Sequence, residues 1–235
     1  MNFRKKVLIS SLLFIVVLLG LCYWRYDDIL KYKDDLEYYM LRHVSLVIWS
    51  MLMAIVVGVT AGVILSRQRF ARASGKLIQI FNIGNTIPTM AVLALSLVVV
   101  GIGDGPAIFA LFMASLLPIV RNSFEGLRQI SPALLESARG VGMTPWQSLI
   151  KVEIPNAIPV ILAGVRTALA INVGTAPLSF LIGGDSLGGL IFPGIYLNNQ
   201  NQLLLGAVAT AALAILMDGL IVISGHFYLK KRGLA

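Results

Sequence analysis

Glu136-Ser-Ala-Arg-Gly-Val-Gly142-Met-Thr-Pro-Trp-Gln-Ser-Leu-Ile-Lys-Val152-Glu-Ile-Pro155 is a punctuated, polar interruption in an otherwise apolar chain. Just upstream, Ser131-Pro132 opens a helix with a capping hydroxyl followed by proline in the first turn. Pro132 to Arg139 reads as a short helix, and Gly140 and Gly142 break it. Thr144 can cap a second helix with Pro145 at its first position. That helix presents Trp146, Leu149 and Ile150, and Pro155 is expected to end it. The product is a compact helix–turn–helix elbow. An amphipathic helix bearing an aromatic suits a groove in another protein; the alternative is a helix lying on a lipid surface.

Working outward, the elbow sits between apolar runs. Of 235 residues, 57% are hydrophobic and only 13% charged, more apolar sequence than a soluble domain of this length can use. Runs of about 20 apolar residues are the length of helices crossing a bilayer. They lack the alternation of barrel strands, so the expected class is all-α integral membrane. Six spans are expected: Val7–Trp24, Val44–Leu65, Leu77–Val100, Pro106–Val120, one beginning near Asn156 and fading after Asn172, and Leu203–Tyr228. Residues 1–43 would hold the first span and a short interfacial helix (Tyr26 to His43). Residues 44–235 would form the core, with the elbow at 131–155. Gly101 to Gly105 reads as a turn, and Gly183 to Gln202 as a loop.

Charge orients these spans. The net charge is +8. Arg4, Lys5, Lys6, Arg67, Arg69, Arg72, Lys76, Arg121, Arg128, Arg139, Lys151, Lys230, Lys231 and Arg232 fall on one side. Arg25, Lys31, Lys33 and Arg42 fall on the other, and Arg166 lies within a span. Lys and Arg favour the cytoplasm, so both termini and the elbow are expected to face inward. Basic residues dispersed between spans do not make a nucleic-acid surface. The single cysteine, Cys22, permits no intrachain disulfide. Arg4 to Lys6 ahead of an apolar run resemble a signal peptide, but no small-x-small site follows, so the run is read as a retained span.

The elbow resembles the EAA motif of ATP-binding-cassette (ABC) importer permeases. The anchors are Glu136, Ala138, Gly142, Val152, Ile154 and Pro155, with Ser137, Val152 and Ile154 departing conservatively from the motif. The resemblance implies a type I importer permease fold in a bacterial cytoplasmic (inner) membrane. It also implies that the elbow is a coupling helix docking on a cytosolic ATPase through Glu136, Ala138, Gly142, Met143, Thr144, Trp146, Gln147 and Pro155. Asn85-Thr-Ile-Pro-Thr89, Leu117-Pro-Ile-Val-Arg-Asn122, Ile161-Leu-Ala-Gly-Val-Arg-Thr167 and Gly183-Gly-Asp-Ser-Leu-Gly-Gly189 look like the glycine betaine, carnitine and choline branch. Import of such a compatible solute is the expected function, with another small solute such as an amino acid as the alternative. A secondary transporter would show internal repeats and leave the elbow unexplained.

No Gly-x4-Gly-Lys-Ser/Thr cradle occurs, since Gly75-Lys76 is followed by Leu77. ATP and Mg are therefore expected on a partner ATPase, with no cofactor on this chain and no enzymatic activity of its own. The outer loops are too short to fold as a solute-binding domain. An extracytoplasmic solute-binding protein is expected, together with a second permease copy or a sister permease. An aromatic cage for a quaternary ammonium is expected on the binding protein.

Polar groups inside spans are expensive unless paired or hydrated. Arg166 and Asp218 stand at similar depths, so an ion pair between the fifth and sixth spans is expected, read as structural, with a substrate site as the alternative. Asn82, Asn85, Thr86 and Thr89 recur near one face of the third span, and Asn172, Thr175 and Ser179 near the end of the fifth. Either they line a translocation path or they hydrogen-bond between helices. Pro88 and Pro177 are expected to kink these spans. Glu125, Glu136 and Glu153 are expected to be solvated or capping, and His43 and His226 have no partner at metal-ligand spacing.

Overall fold

The computed structural model describes residues 30–70, 75, 76, 78, 79 and 86–231. The expected first span, Val7 to Trp24, lies outside them, as do Cys22, Asn82 and Asn85. Every regular element among the described residues is helical. In chain order these are α1 (Lys33–Ser66), a 3-10 turn at Gln68–Phe70, α2 (Thr89–Val100), α3 (Asp104–Arg128), α4 (Pro132–Gly140) and α5 (Pro145–Ser148). A π-helical turn, Leu149–Glu153, leads into α6 (Ile154–Thr175), followed by a 3-10 segment (Ala176–Ile182), α7 (Gly188–Tyr196) and α8 (Gln200–Lys231). Lys33–Ser66, Asp104–Arg128, Pro145–Ile182 and Gln200–Lys231 are long and apolar enough to cross a membrane. α2 has 12 residues, about 18 Å of helix, which is shorter than a span.

Several boundaries differ from expectation. Of the expected interfacial helix, residues 33–43 belong to the same helix as the span, with a turn at Tyr32 ahead of them, and residues 26–29 lie outside the described residues. Asp34 and Asp35 in the first turn of that helix complement its dipole, and no Gly or Pro interrupts the helix before Gly58. α3 continues past Val120 to Arg128. Its added turns bury Ser123, Phe124, Gly126 and Leu127, and Arg121 Nε donates to Glu125 Oε1 at 2.9 Å one turn away. Pro155 does not end a helix. It follows the π turn at the start of α6, and the helix runs on through it. Pro88 caps α2 rather than kinking it. The 183–202 loop contains α7, anchored by the buried Leu187 and Leu190.

The core is built by α1, α3 and α6. Val47, Leu111, Ile119, Val120 and Val173 are fully buried there. In lipid, helices associate through close packing and polar contacts rather than hydrophobic collapse, and two glycines provide the approach. A Cβ on Gly62 would lie 2.4 Å from Ser123 Cβ, and one on Gly164 would lie 2.5 Å from Asn122 Cβ. Large apolar side chains such as Val56, Leu216, Leu220 and Phe227 remain exposed, as a lipid-facing surface requires.

Candidate functional site

The elbow is assembled by its caps. Ser131 Oγ accepts from Leu134 N at 3.3 Å, and Pro132 starts α4. Gly142 has φ +75°, a left-handed conformation that a side chain would strain, and it turns the chain back. Thr144 and Gln147 then form a reciprocal capping box. Gln147 N donates to Thr144 Oγ1 at 3.3 Å, and Thr144 N donates to Gln147 Oε1 at 3.0 Å. Ala138 is buried, whereas Glu136, Gly142 and Gln147 are exposed. Trp146 is 68% exposed although it is the largest side chain of the elbow. Leu149, expected beside it on the surface, is buried. Ile150 next to it stays exposed.

Glu153, expected to be solvated, is buried instead. Its Oε2 takes a 2.7 Å bond from Arg67 Nη2 and its Oε1 a 3.3 Å bond from Ser148 Oγ. The elbow is thereby tied to the end of α1 and runs directly into α6. Between these elements lies a cleft of about 520 Å³ lined by Arg67, Arg128, Arg139 and Met143 among others.

At the opposite end of the bundle a second cluster joins distant parts of the chain. Arg42 donates to Asp104 and its Nε lies 3.6 Å from Asp185 Oδ2. Tyr38 OH donates to the same Asp185 oxygen at 2.6 Å, and Asp185 N donates to Asp104 Oδ1 at 3.1 Å. The sequence reading missed this cluster, taking Arg42 for a topology signal only. The available hint was that Asp104 and Asp185 both sit in glycine-flanked turns.

The intramembrane polar residues separate into groups. Thr86 is exposed. Thr89 begins α2 and lines a cleft of about 450 Å³ with Ser96, Phe109, Met113 and Ile171. Asn172 is fully buried. Its Nδ2 donates to Ser50 Oγ at 2.9 Å and to Ser115 Oγ at 2.8 Å, joining α6 to α1 and α3. Ser179 is also fully buried and lies 3.1 Å from Ser186 Oγ. Thr175 Oγ1 donates to Ile171 O at 2.8 Å within its own helix. Asn172 and Ser179 are thus enclosed here and hydrogen-bonded between helices and to the loop. Arg166 and Asp218 meet in a two-bond fork, Nε to Oδ1 at 2.7 Å and Nη2 to Oδ2 at 2.8 Å.

Residues 54–232 match the family described as "Binding-protein-dependent transport system inner membrane component". The chain belongs to this family. Relatives include the "Osmoprotectant import permease protein OsmY" of Salmonella typhimurium (strain LT2), 52% identical over 224 residues and covering 94% of both chains. The "Choline transport system permease protein OpuBB" of Bacillus subtilis (strain 168) is 39% identical over 190 residues, covering 81% of this chain and 87% of that one. Among solved structures, a chain of the inward-facing MetNI methionine ABC transporter superposes with a TM-score of 0.68 at 25% identity, covering 85% of this chain and 96% of that one. As a member of this inner-membrane family, the chain is a membrane permease component of an ABC importer. Importers of this kind work with an ATPase and a solute-binding protein.

Proposed function

We propose that this chain is the translocating permease of an osmoprotectant importer, carrying a small quaternary ammonium solute of the glycine betaine, carnitine or choline type. The observation that carries the mechanism is the elbow. It exposes Trp146 on a doubly capped turn that has no break between it and α6. A rigid protrusion ending in an exposed aromatic is suited to a groove on a partner protein. That partner is a separate ATPase subunit, which holds ATP and Mg. Closure of the ATPase dimer displaces the elbow, and the Glu153–Arg67 tie passes the displacement to α1 as well as α6. The solute-binding protein docks at the opposite end, near the Arg42–Asp104–Asp185 cluster. A second permease copy or a sister permease completes the pathway. Relatives named for osmoprotectant and choline transport support the solute class.

The structural likeness to a methionine transporter keeps an amino acid importer as the second reading. Uptake into proteoliposomes holding the complete complex decides between them. ATP-dependent accumulation of labelled glycine betaine, carnitine or choline is expected. Accumulation of methionine or histidine with none of those three would overturn the solute class.

A further inference from the structure

The fork between Arg166 and Asp218 lies deep in two membrane-crossing helices. Arg166 is twelve residues beyond the start of α6 and Asp218 thirteen before the end of α8, so both lie about 18–20 Å along their helices from the elbow end. Yet the side chains are 47% and 36% exposed. Charges facing hydrocarbon are costly even when paired, so this surface faces water or another protein.

The neighbouring residues support that placement. On α6 the exposed positions around Arg166 are Asn156, Pro159, Ala163, Thr167, Ala170 and Gly174, none of them a large apolar side chain of the kind exposed on α1 and α8. On α8, Leu216 and Leu220 are each 65% exposed. They are two residues from Asp218 on either side, a rotation of about 200°, while Ile215 and Val222, one turn from Asp218 on its own face, are 45% and 41% exposed. The fork also satisfies itself, using two of the five guanidinium N–H donors. Three guanidinium N–H donors remain beyond those two bonds.

We infer that Arg166 and Asp218 form a transient station for a zwitterionic solute inside the translocation pathway. The inference rests on the solute class proposed above. A solute with a carboxylate and a quaternary ammonium matches the fork with reversed signs. Its carboxylate meets Arg166 and its ammonium meets Asp218. Opening one ion pair while making two of the same kind leaves little net change, so occupancy is weak. A conduction site needs that property, since solute must leave as readily as it enters.

The test uses the complete complex in proteoliposomes and reads glycine betaine accumulated per ATP hydrolysed. Arg166→Gln and Asp218→Asn are each expected to lower this ratio at least about tenfold, with Arg166→Lys falling between Arg166→Gln and wild type. A helix tie alone would lower uptake and hydrolysis together, so an unchanged ratio overturns the inference. For choline, which has no carboxylate, Arg166→Gln is expected to keep the ratio, and equal losses for the two solutes overturn it; where wild type carries only glycine betaine, that ratio decides. Should the single variants fail to assemble, the double exchange Arg166→Asp with Asp218→Arg retains the attraction between helices. It is expected to assemble with a low ratio, and a wild-type ratio overturns the inference. A wild-type complex that moves no quaternary ammonium solute overturns the functional reading itself, separately from these outcomes.

Discussion

Arg67 and Glu153, 86 residues apart in sequence, are joined by a 2.7 Å ion pair in which the carboxylate is nearly buried, with 11% of its side chain exposed. It links the end of the first described span to the π turn beneath the elbow. Removing one member of such a pair leaves a buried charge short of a partner, at about 1–3 kcal/mol. Arg67→Ala is therefore expected to lower the thermal midpoint of the purified complex and to uncouple hydrolysis from uptake. Arg67→Lys keeps the charge and should recover most of both. Thermal unfolding in detergent, read beside uptake, checks this.

Trp146 makes the opposite case. With 68% of its surface exposed, its truncation removes little internal packing. Aromatic side chains of this kind dominate binding energies at interfaces, at about 2 kcal/mol or more each. Trp146→Ala is expected to leave the thermal midpoint of the isolated permease unchanged while reducing ATPase copurification at least tenfold. A normal yield of bound ATPase would remove Trp146 from the docking surface.

Asn172 distinguishes bundle structure from pathway. Its bonds to Ser50 and Ser115 cross to two other helices, and interhelical bonds of this kind contribute about 0.6–2 kcal/mol each in membranes. Asn172→Ala should destabilise the fold by about 1–3 kcal/mol on that basis while leaving the ranking of transported solutes as in wild type. Competition assays among glycine betaine, carnitine and choline measure that ranking. A reordered preference would place Asn172 in contact with solute after all.

Two glycines give a contrast in packing. Gly62 sits against Ser123 and Phe124 with no room for a methyl group, while Gly174 has open space around its Cα. Gly62→Val is expected to abolish stable insertion or to lower the yield of folded protein severely. Gly174→Ala should be folded normally. Membrane-fraction yield and size-exclusion profiles report the difference.

The elbow was legible in sequence because capping and turn chemistry are local. Ser131, Pro132, Thr144 and Pro145 specify their positions with neighbours at most three residues away. The membrane class was legible from apolar run lengths. The ends of the helices were not. Residues 121–128 read as polar loop because their burial comes from α1 and α6, which no local window contains. Glu153 read as solvated for the same reason, since its partner Arg67 belongs to another span. Leu149 read as a surface position for the same reason, since the core cluster that buries it is contributed by other helices. The depths of Arg166 and Asp218 followed from simple rise per residue. Their exposed side could be known only once the packing of α6 against its neighbours was in place.

The tight seat of Gly62 on Ser123, repeated by Gly164 on Asn122, leaves α1, α3 and α6 no slack for bending at their crossings. On the proposed coupling, a push arriving at the elbow is expected to tilt the trio as one block, like a pier rocking on its footing. Flexion is left to helices outside the trio, α8 among them.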